Sequence, residues 1–258
     1  MSTPEVLVHR DAASVADAAA ARFITRVVEV QSDRGSATVC LTGGRSGTGL
    51  LQAIAGSPAR DAVDWTAVHV WWGDERFLPP GDPERNDVQA RAALLDAVGV
   101  PDEHLHSVAG AVPGGDVDRA AADYAAALLG AARPEDHAQV PSFDVCLLGV
   151  GEDTHVASLF PQSPAVHETE RTVVGVHGSP KPPPERVTLT LPALCAAREV
   201  WLLASGAAKA EAVRLALSDA GPIQVPAAGA RGRERTLALL DEDAAGRLPP
   251  ELRRIASP

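Results

Sequence analysis

Phe143-Asp144-Val145-Cys146-Leu147-Leu148-Gly149-Val150-Gly151-Glu152-Asp153-Thr154-His155-Val156-Ala157-Ser158-Leu159-Phe160-Pro161 decides the fold and locates its chemistry. The apolar run from Phe143 to Leu148 predicts a strand buried on both faces. It ends abruptly in two glycines, an acidic pair and a histidine. Open α/β sheets bind ligands at the carboxyl ends of their strands. A histidine delivered there is the side chain best suited to move a proton near neutral pH.

Working outward, strand-like runs alternate with alanine-rich helical stretches. Strands are predicted at Glu5–His9, Ala37–Leu41, Val68–Trp72, Val173–Val176, Val187–Thr190, Val200–Ala204 and Thr236–Leu240. Helices are predicted from an Asp11 cap to about Val30, after Gly49 to Ile54, over Glu84–Val98 and Asp116–Gly130, from about Ala207 to Leu217, and briefly at the terminus. This alternation predicts a mostly parallel twisted sheet with helices on both faces, a three-layer αβα architecture. No internal repeat or long linker interrupts it, so residues 1–258 are read as a single domain.

The formal charge of −11 opposes nucleic acid or an acidic membrane as partner. No apolar run is long enough to span a bilayer, and the N-terminus has no secretion-signal pattern, which predicts a cytoplasmic protein. Cys40, Cys146 and Cys195 make no disulfide framework, and the first two fall in predicted strands as buried thiols. No CxxC, CxxH or HExxH spacing occurs, so no metal is expected; His104 and His106 read as residues of a surface loop.

Three segments that each follow a strand can converge on one sheet edge. In the first, Thr42-Gly43-Gly44-Arg45-Ser46-Gly47-Thr48-Gly49, glycines admit a close anion and the following helix offers free N–H groups. The same glycines also suit a plain flexible turn. The segment fits neither a Walker A loop, nor GxGxxG, nor GxSxG. The second, Trp72-Gly73-Asp74-Glu75-Arg76 with Arg85-Asn86 downstream, reads either as a solvated, self-neutralising cluster or as a guanidinium aimed at phosphate. In the third, Asp153 stands two residues from His155 and can orient its ring. A fourth element, Ser179-Pro180-Lys181, carries one of only two lysines on a stiff proline-rich segment.

These four segments, in this order, resemble the 6-phosphogluconolactonase family. The matching residues are Thr42-Gly43-Gly44, Trp72 to Arg76 with Arg85-Asn86, Gly149 to Pro161, and Ser179 to Pro183. Val200 to Leu203, Gly206-x-x-Lys209 and Pro226-Ala227 also fit. The resemblance implies the αβα fold of sugar-phosphate isomerases and deaminases. It also implies hydrolysis of 6-phospho-D-glucono-1,5-lactone to 6-phosphogluconate in the oxidative branch of the pentose phosphate pathway, with no cofactor. Two positions depart from the family. Thr154 replaces a glycine, so its turn is either regular or strained. Arg45 replaces a serine.

On this reading His155 is the base that activates water and Asp153 supports the charged imidazole. Thr42, Gly43, Gly44, Arg45, Ser46 and Thr48, with Asp74, Arg76 and Lys181, bind the phosphorylated sugar lactone. For the oxyanion, only backbone N–H groups of the Gly149–Gly151 turn suggest themselves. The protein is expected as a monomer or homodimer. Three alternatives stand beside it: a glucosamine-6-phosphate deaminase/isomerase, a non-catalytic sugar-phosphate sensor, and a serine esterase using Ser46. The first lacks its glutamate, since the motif continues Ser158-Leu159-Phe160-Pro161. The second lacks a helix-turn-helix ahead of the sheet, and the third lacks its nucleophile elbow.

Overall fold

The computed structural model describes residues 2–253. Its elements are β1 (Pro4–His9), α1 (Ala12–Arg34), β2 (Ala37–Leu41), α2 (Gly44–Gly56), β3 (Val68–Trp72), β4 (Asp74–Arg76), α3 (Asn86–Ala90), α4 (Asp96–Val98), α5 (Val117–Ala131), β5 (Val145–Gly149), β6 (Val173–Val176), β7 (Arg186–Leu189), α6 (Leu191–Cys195), β8 (Glu199–Ala204), α7 (Ala210–Ala216), α8 (Pro226–Gly229) and β9 (Arg235–Asp241). The predicted terminal helix shows as a single 3-10 turn, Pro250–Leu252; residues beyond 253 lie outside the described ones.

Six strands form one parallel sheet in the order β1-β9-β8-β5-β2-β3. Successive side chains of a strand point to opposite faces, and the core divides accordingly. Val39, Leu41, Val145, Leu147, Trp201 and Leu203 pack on one side with Phe23 and Val27 of α1 and Leu50 and Ile54 of α2. Cys40, Cys146, Leu148, Val200 and Leu202 pack on the other with Tyr124 and Leu128 of α5 and Val213 of α7. Because both faces are covered, β5 reads as an unbroken apolar run rather than an alternating one. Cys40 and Cys146 face each other across β2 and β5 as buried free thiols.

The chain order reverses between β2 and β5. From β2 it steps outward to β3, and from β5 the opposite way to β8. Such a switch point leaves a crevice at the carboxyl ends of the two strands. The segments after β2 and β5 are the glycine-rich stretch and the histidine motif.

Further elements depart from the sequence reading. Gly73–Arg76, expected as a loop, continues into β4, which pairs antiparallel with β7 in a second sheet of order β4-β7-β6. Asp-Glu-Arg has poor strand propensity; partners far along the chain impose the extended form, with Asp74 opposite Thr188 and Arg76 opposite Arg186. The helix expected over Glu84–Val98 begins at Asn86 and passes through a π turn at Arg91–Leu95. No described helix is long and apolar enough to cross a membrane.

His104 and His106 do not sit in a solvent loop. His106 stacks on Trp71 at 3.9 Å between ring centroids, and His69 packs on His104 at 4.0 Å. Burial, then the neighbouring His69 and His104, lowers the His106 pKa to about 4; burial, then His104 and Arg133, lowers that of His69. Unfolding restores ordinary imidazoles, which bind protons near pH 6.5. At these two residues the unfolded chain therefore holds more protons than the folded one between about pH 6.5 and 4, and the stability they contribute falls as pH drops through that window. Urea midpoints measured across it should decline, and His106→Phe should flatten the decline; an unchanged slope would contradict this packing.

Candidate active site

A cavity of about 840 Å³ opens at the carboxyl ends of the parallel strands. It is walled by the β2–α2 junction, the turn after β5, the Ser205–Lys209 segment after β8, the first turns of α1, and Asp74, Arg76, Asn86 and Arg186 from the second sheet and its neighbours. The three segments predicted to converge do so here.

His155 lies in this wall, largely buried, with its ring tilted on Phe160 at 4.7 Å between centroids. Its Nδ1 is hydrogen bonded to the Asp153 carboxylate. Burial pushes the Asp153 carboxyl up, but the hydrogen bond and charge of His155, together with Lys181, outweigh it and hold Asp153 well below the usual carboxylate range. An ionised Asp153 fixes the proton on Nδ1, which leaves Nε2 as the basic nitrogen. Gly151 makes this pair possible: a Cβ there would stand 1.9 Å from His155 Nδ1 and 2.5 Å from Asp153 Oδ1.

The glycine-rich segment is shorter than its sequence suggests. Only Thr42 and Gly43 are loop, and α2 begins at Gly44 with no side chain capping its first N–H groups. Thr42, Gly43, Gly44, Arg45 and Ser46 line the cavity, so an uncapped helix terminus with its positive dipole end faces the open space. Thr48, in the next turn of α2, does not line it. Ser46 sits in helix rather than on a nucleophile elbow. Gly43 is pressed by Asn86, whose Oδ1 lies 1.9 Å from where a Cβ would be.

Asp74 does not present a free carboxylate to a ligand. It is buried, accepts a hydrogen bond from Ser158 Oγ at 2.7 Å, and is contacted by Asn86 Nδ2. Arg76 is partly exposed in the cavity wall and donates to the Glu84 carbonyl. Arg85 turns away into the protein: it grips Asp87 through Nε at 2.9 Å and Nη2 at 3.1 Å and donates to the Val108 carbonyl. The Gly149–Gly151 N–H groups are all taken. Gly149 N–H meets Thr42 Oγ1, Val150 N–H meets the Leu203 carbonyl, and Gly151 N–H meets the His155 carbonyl. The turn therefore offers no oxyanion donor.

Arg45, Arg76, Arg186 and Lys209 line the opening, and Lys181 stands beside it. Lys181 Nζ lies 3.6 Å from Asp153 Oδ1, at the rim rather than in the wall. Lys209 lines the cavity and donates to the Val150 carbonyl. Burial, then Lys181, lowers its pKa, with Arg45 adding to the effect and Glu152 and Asp153 opposing it. A dianion placed among these groups would relieve that mutual repulsion. Among the described residues, no three His, Cys, Asp or Glu side chains are arranged to hold a metal ion.

Residues 10–238 match the family described as glucosamine-6-phosphate isomerases/6-phosphogluconolactonase. The chain belongs to this family. It is 65% identical over 252 residues to a Streptomyces coelicolor protein named 6-phosphogluconolactonase, covering 97% of each chain. It is 50% identical over 234 residues to a Mycobacterium tuberculosis protein of the same name, covering 90% of this chain and 93% of that one. A crystal structure of 6-phosphogluconolactonase from Leishmania guyanensis superposes with a TM-score of 0.82 at 28% identity, over 96% of this chain and all of that one.

Within this family the chain's threonine at 154 has a measurable consequence. Thr154 adopts φ +72°, the left-handed region that a β-branched residue resists, and its buried Oγ1 finds no partner. The turn is strained rather than regular, and it is held by Thr154 N–H to the Gly151 carbonyl and Ala227 N–H to the Thr154 carbonyl, both at 3.0 Å. Thr154→Gly is expected to raise stability by about 1 kcal/mol, or roughly 2–4 °C in Tm. A melting curve showing a loss would mean that the threonine methyl packs better than the strain costs.

Two wall residues, Arg186 and Lys209, were not singled out for a role by sequence reasoning. Lys209 carried a signal, since it is one of only two lysines and follows a glycine after a strand. Arg186 carried none, because an arginine opening a strand looks like ordinary surface.

Proposed function

We propose that this chain hydrolyses 6-phospho-D-glucono-1,5-lactone to 6-phosphogluconate. The observation that carries the reading is the Asp153-anchored imidazole of His155 in the wall of a cavity that also holds an uncapped helix terminus and Lys209. His155 Nε2 takes a proton from water as its oxygen bonds to the lactone carbonyl carbon. The resulting tetrahedral oxyanion collapses, the bond from that carbon to the ring oxygen breaks, and the imidazolium returns its proton to the ring oxygen. The new carboxylic acid then releases a proton to solvent. Asp153 stabilises the imidazolium throughout.

The phosphate is held by the N–H groups at the start of α2, by Ser46 and by the charges of Arg45, Arg76, Lys181 and Lys209. Concentrating cations locally lets a protein of net charge −11 bind an anion. In Ser158-Leu159-Phe160-Pro161 it is Phe160 that stands where the deaminase motif has its glutamate, so this position supplies no acid for deamination.

Generating the lactone in situ from glucose 6-phosphate and following acid release with and without the protein tests the reading directly. Accelerated release, and no ammonia from glucosamine 6-phosphate, is expected. Acid release at the spontaneous rate would overturn it.

A further inference from the structure

Four of the six residues Ser179–Pro184 are prolines. Prolines have no N–H to donate, so a loop of this kind cannot satisfy its own carbonyls by ladder pairing. It closes on itself only through Ser179 N–H to the Pro184 carbonyl and Lys181 N–H to Ser179 Oγ. The carbonyls of Lys181, Pro182 and Pro183 take their donors from one guanidinium. Arg186 Nη2 reaches Lys181 at 3.2 Å and Pro182 at 2.9 Å, and Nε reaches Pro183 at 3.3 Å.

The other edge of that guanidinium is aimed by buried groups. Arg186 Nη1 lies 3.4 Å from Ser158 Oγ and 3.9 Å from Asp74 Oδ2, and Ser158 in turn donates to Asp74 at 2.7 Å. The Phe160 ring, which tilts against His155 on one contact, lies 5.9 Å from Arg186 Cζ on another. The held loop carries Lys181, whose ammonium stands 3.6 Å from the carboxylate that orients the base.

We propose that Arg186 is a positioning residue that clamps the backbone of residues 181–183, aimed by Ser158 and Asp74, so that Lys181 is held over the site to meet the substrate phosphate. The inference rests on the lactonase reading, and it gives Asp74 a different task from the substrate contact read from sequence. A planar fork with five donors can span three successive carbonyls; a single ammonium cannot.

A double-mutant cycle on turnover tests this. Lys181→Ala and Arg186→Met are each expected to raise KM about 10-fold or more, the worth of a lost charge-assisted hydrogen bond, with a much smaller change in kcat. The double variant should be no worse than the poorer single one, because Arg186 acts through Lys181. Arg186→Lys, which keeps the charge but not the fork, should fail to restore KM.

Multiplying effects in the double variant, or full rescue by Arg186→Lys, would overturn the proposal, since Arg186 would then act on the substrate itself. If Arg186→Met does not fold, Ser158→Ala replaces it. That variant should raise KM in the wild-type background and leave it unchanged in Lys181→Ala; an equal rise in both backgrounds would overturn the proposal. Should the wild-type protein show no turnover, the functional reading fails by itself. The same cycle, read on calorimetric binding of inorganic phosphate, still decides the role of Arg186.

Discussion

His155→Ala should lower kcat by about 10²–10⁴-fold, the usual worth of a positioned general base, while affinity for 6-phosphogluconate stays within a few-fold. The separation follows from the geometry. On the proposed mechanism the imidazole contributes a basic nitrogen, whereas phosphate would be gripped by the start of α2 and by lysine and arginine side chains at the cavity. Removing the ring therefore leaves the anion site in place. Gly151→Ala should approach the same loss without deleting any reacting group, because its methyl would occupy the space of His155 Nδ1 and Asp153 Oδ1. Steady-state kinetics with calorimetric product binding checks both variants. A His155→Ala protein with near-wild-type kcat would remove the base from the mechanism.

The largest loss of stability is expected from Arg85→Ala, which should cost roughly 3–5 kcal/mol as a broken buried charge network does. Tm should then fall by roughly 6–20 °C. Arg85 is 2% exposed and neutralises two carboxylates at once, Asp87 by a bidentate contact and Glu75 at 3.8 Å. Glu75 accepts from the backbone N–H groups of Arg76, Asn86 and Asp87, and so ties β4 to the start of α3. Burial pushes its pKa up to about 7 even though those N–H groups and Arg85 pull it down. Without the guanidinium, only those backbone N–H groups are left to offset burial of the Glu75 charge, and Asp87 loses its bidentate partner. Thermal melts at neutral pH decide the matter, and a Tm within two or three degrees of wild type would show that the cluster relaxes around the gap.

The same region shows why some of the site was legible and some was not. Val145–Leu148 is apolar on both faces because both faces of β5 are covered, so an unbroken apolar run closed by glycines marks a central parallel strand and the chemistry at its end. Asp153 and His155 are two residues apart, so their partnership is local and readable. Asp74-Glu75-Arg76-(x)₈-Arg85-Asn86 is a row of charges with no such local key. Asp74, though it borders the cavity, is committed to Ser158, Glu75 is turned inward by the start of α3 and Arg85 by Asp87, while Arg76 stays partly exposed in the wall. Sequence cannot separate these fates, because each depends on a residue whose distance in the chain says nothing of its distance in space. Thr48 lies off the cavity for a nearer reason: α2 starts at Gly44, earlier than four glycines in eight residues imply, and the helix turns Thr48 away while Gly49 and Leu50 border the opening.

The residues by themselves determined a parallel sheet covered on both faces, the edge at which the cavity opens, and a histidine with its carboxylate at that edge. These follow from periodicity and close spacing, which chain geometry turns directly into position. Only the tertiary structure decided which charges face the cavity and which are consumed inside. It also decided that Thr154 bears strain, that the backbone of the Gly149–Gly151 turn has no donor to spare, and that Arg186 grips the lysine loop. Those outcomes turn on long-range hydrogen-bond partners, and a donor is free or spent only once every neighbour has been placed.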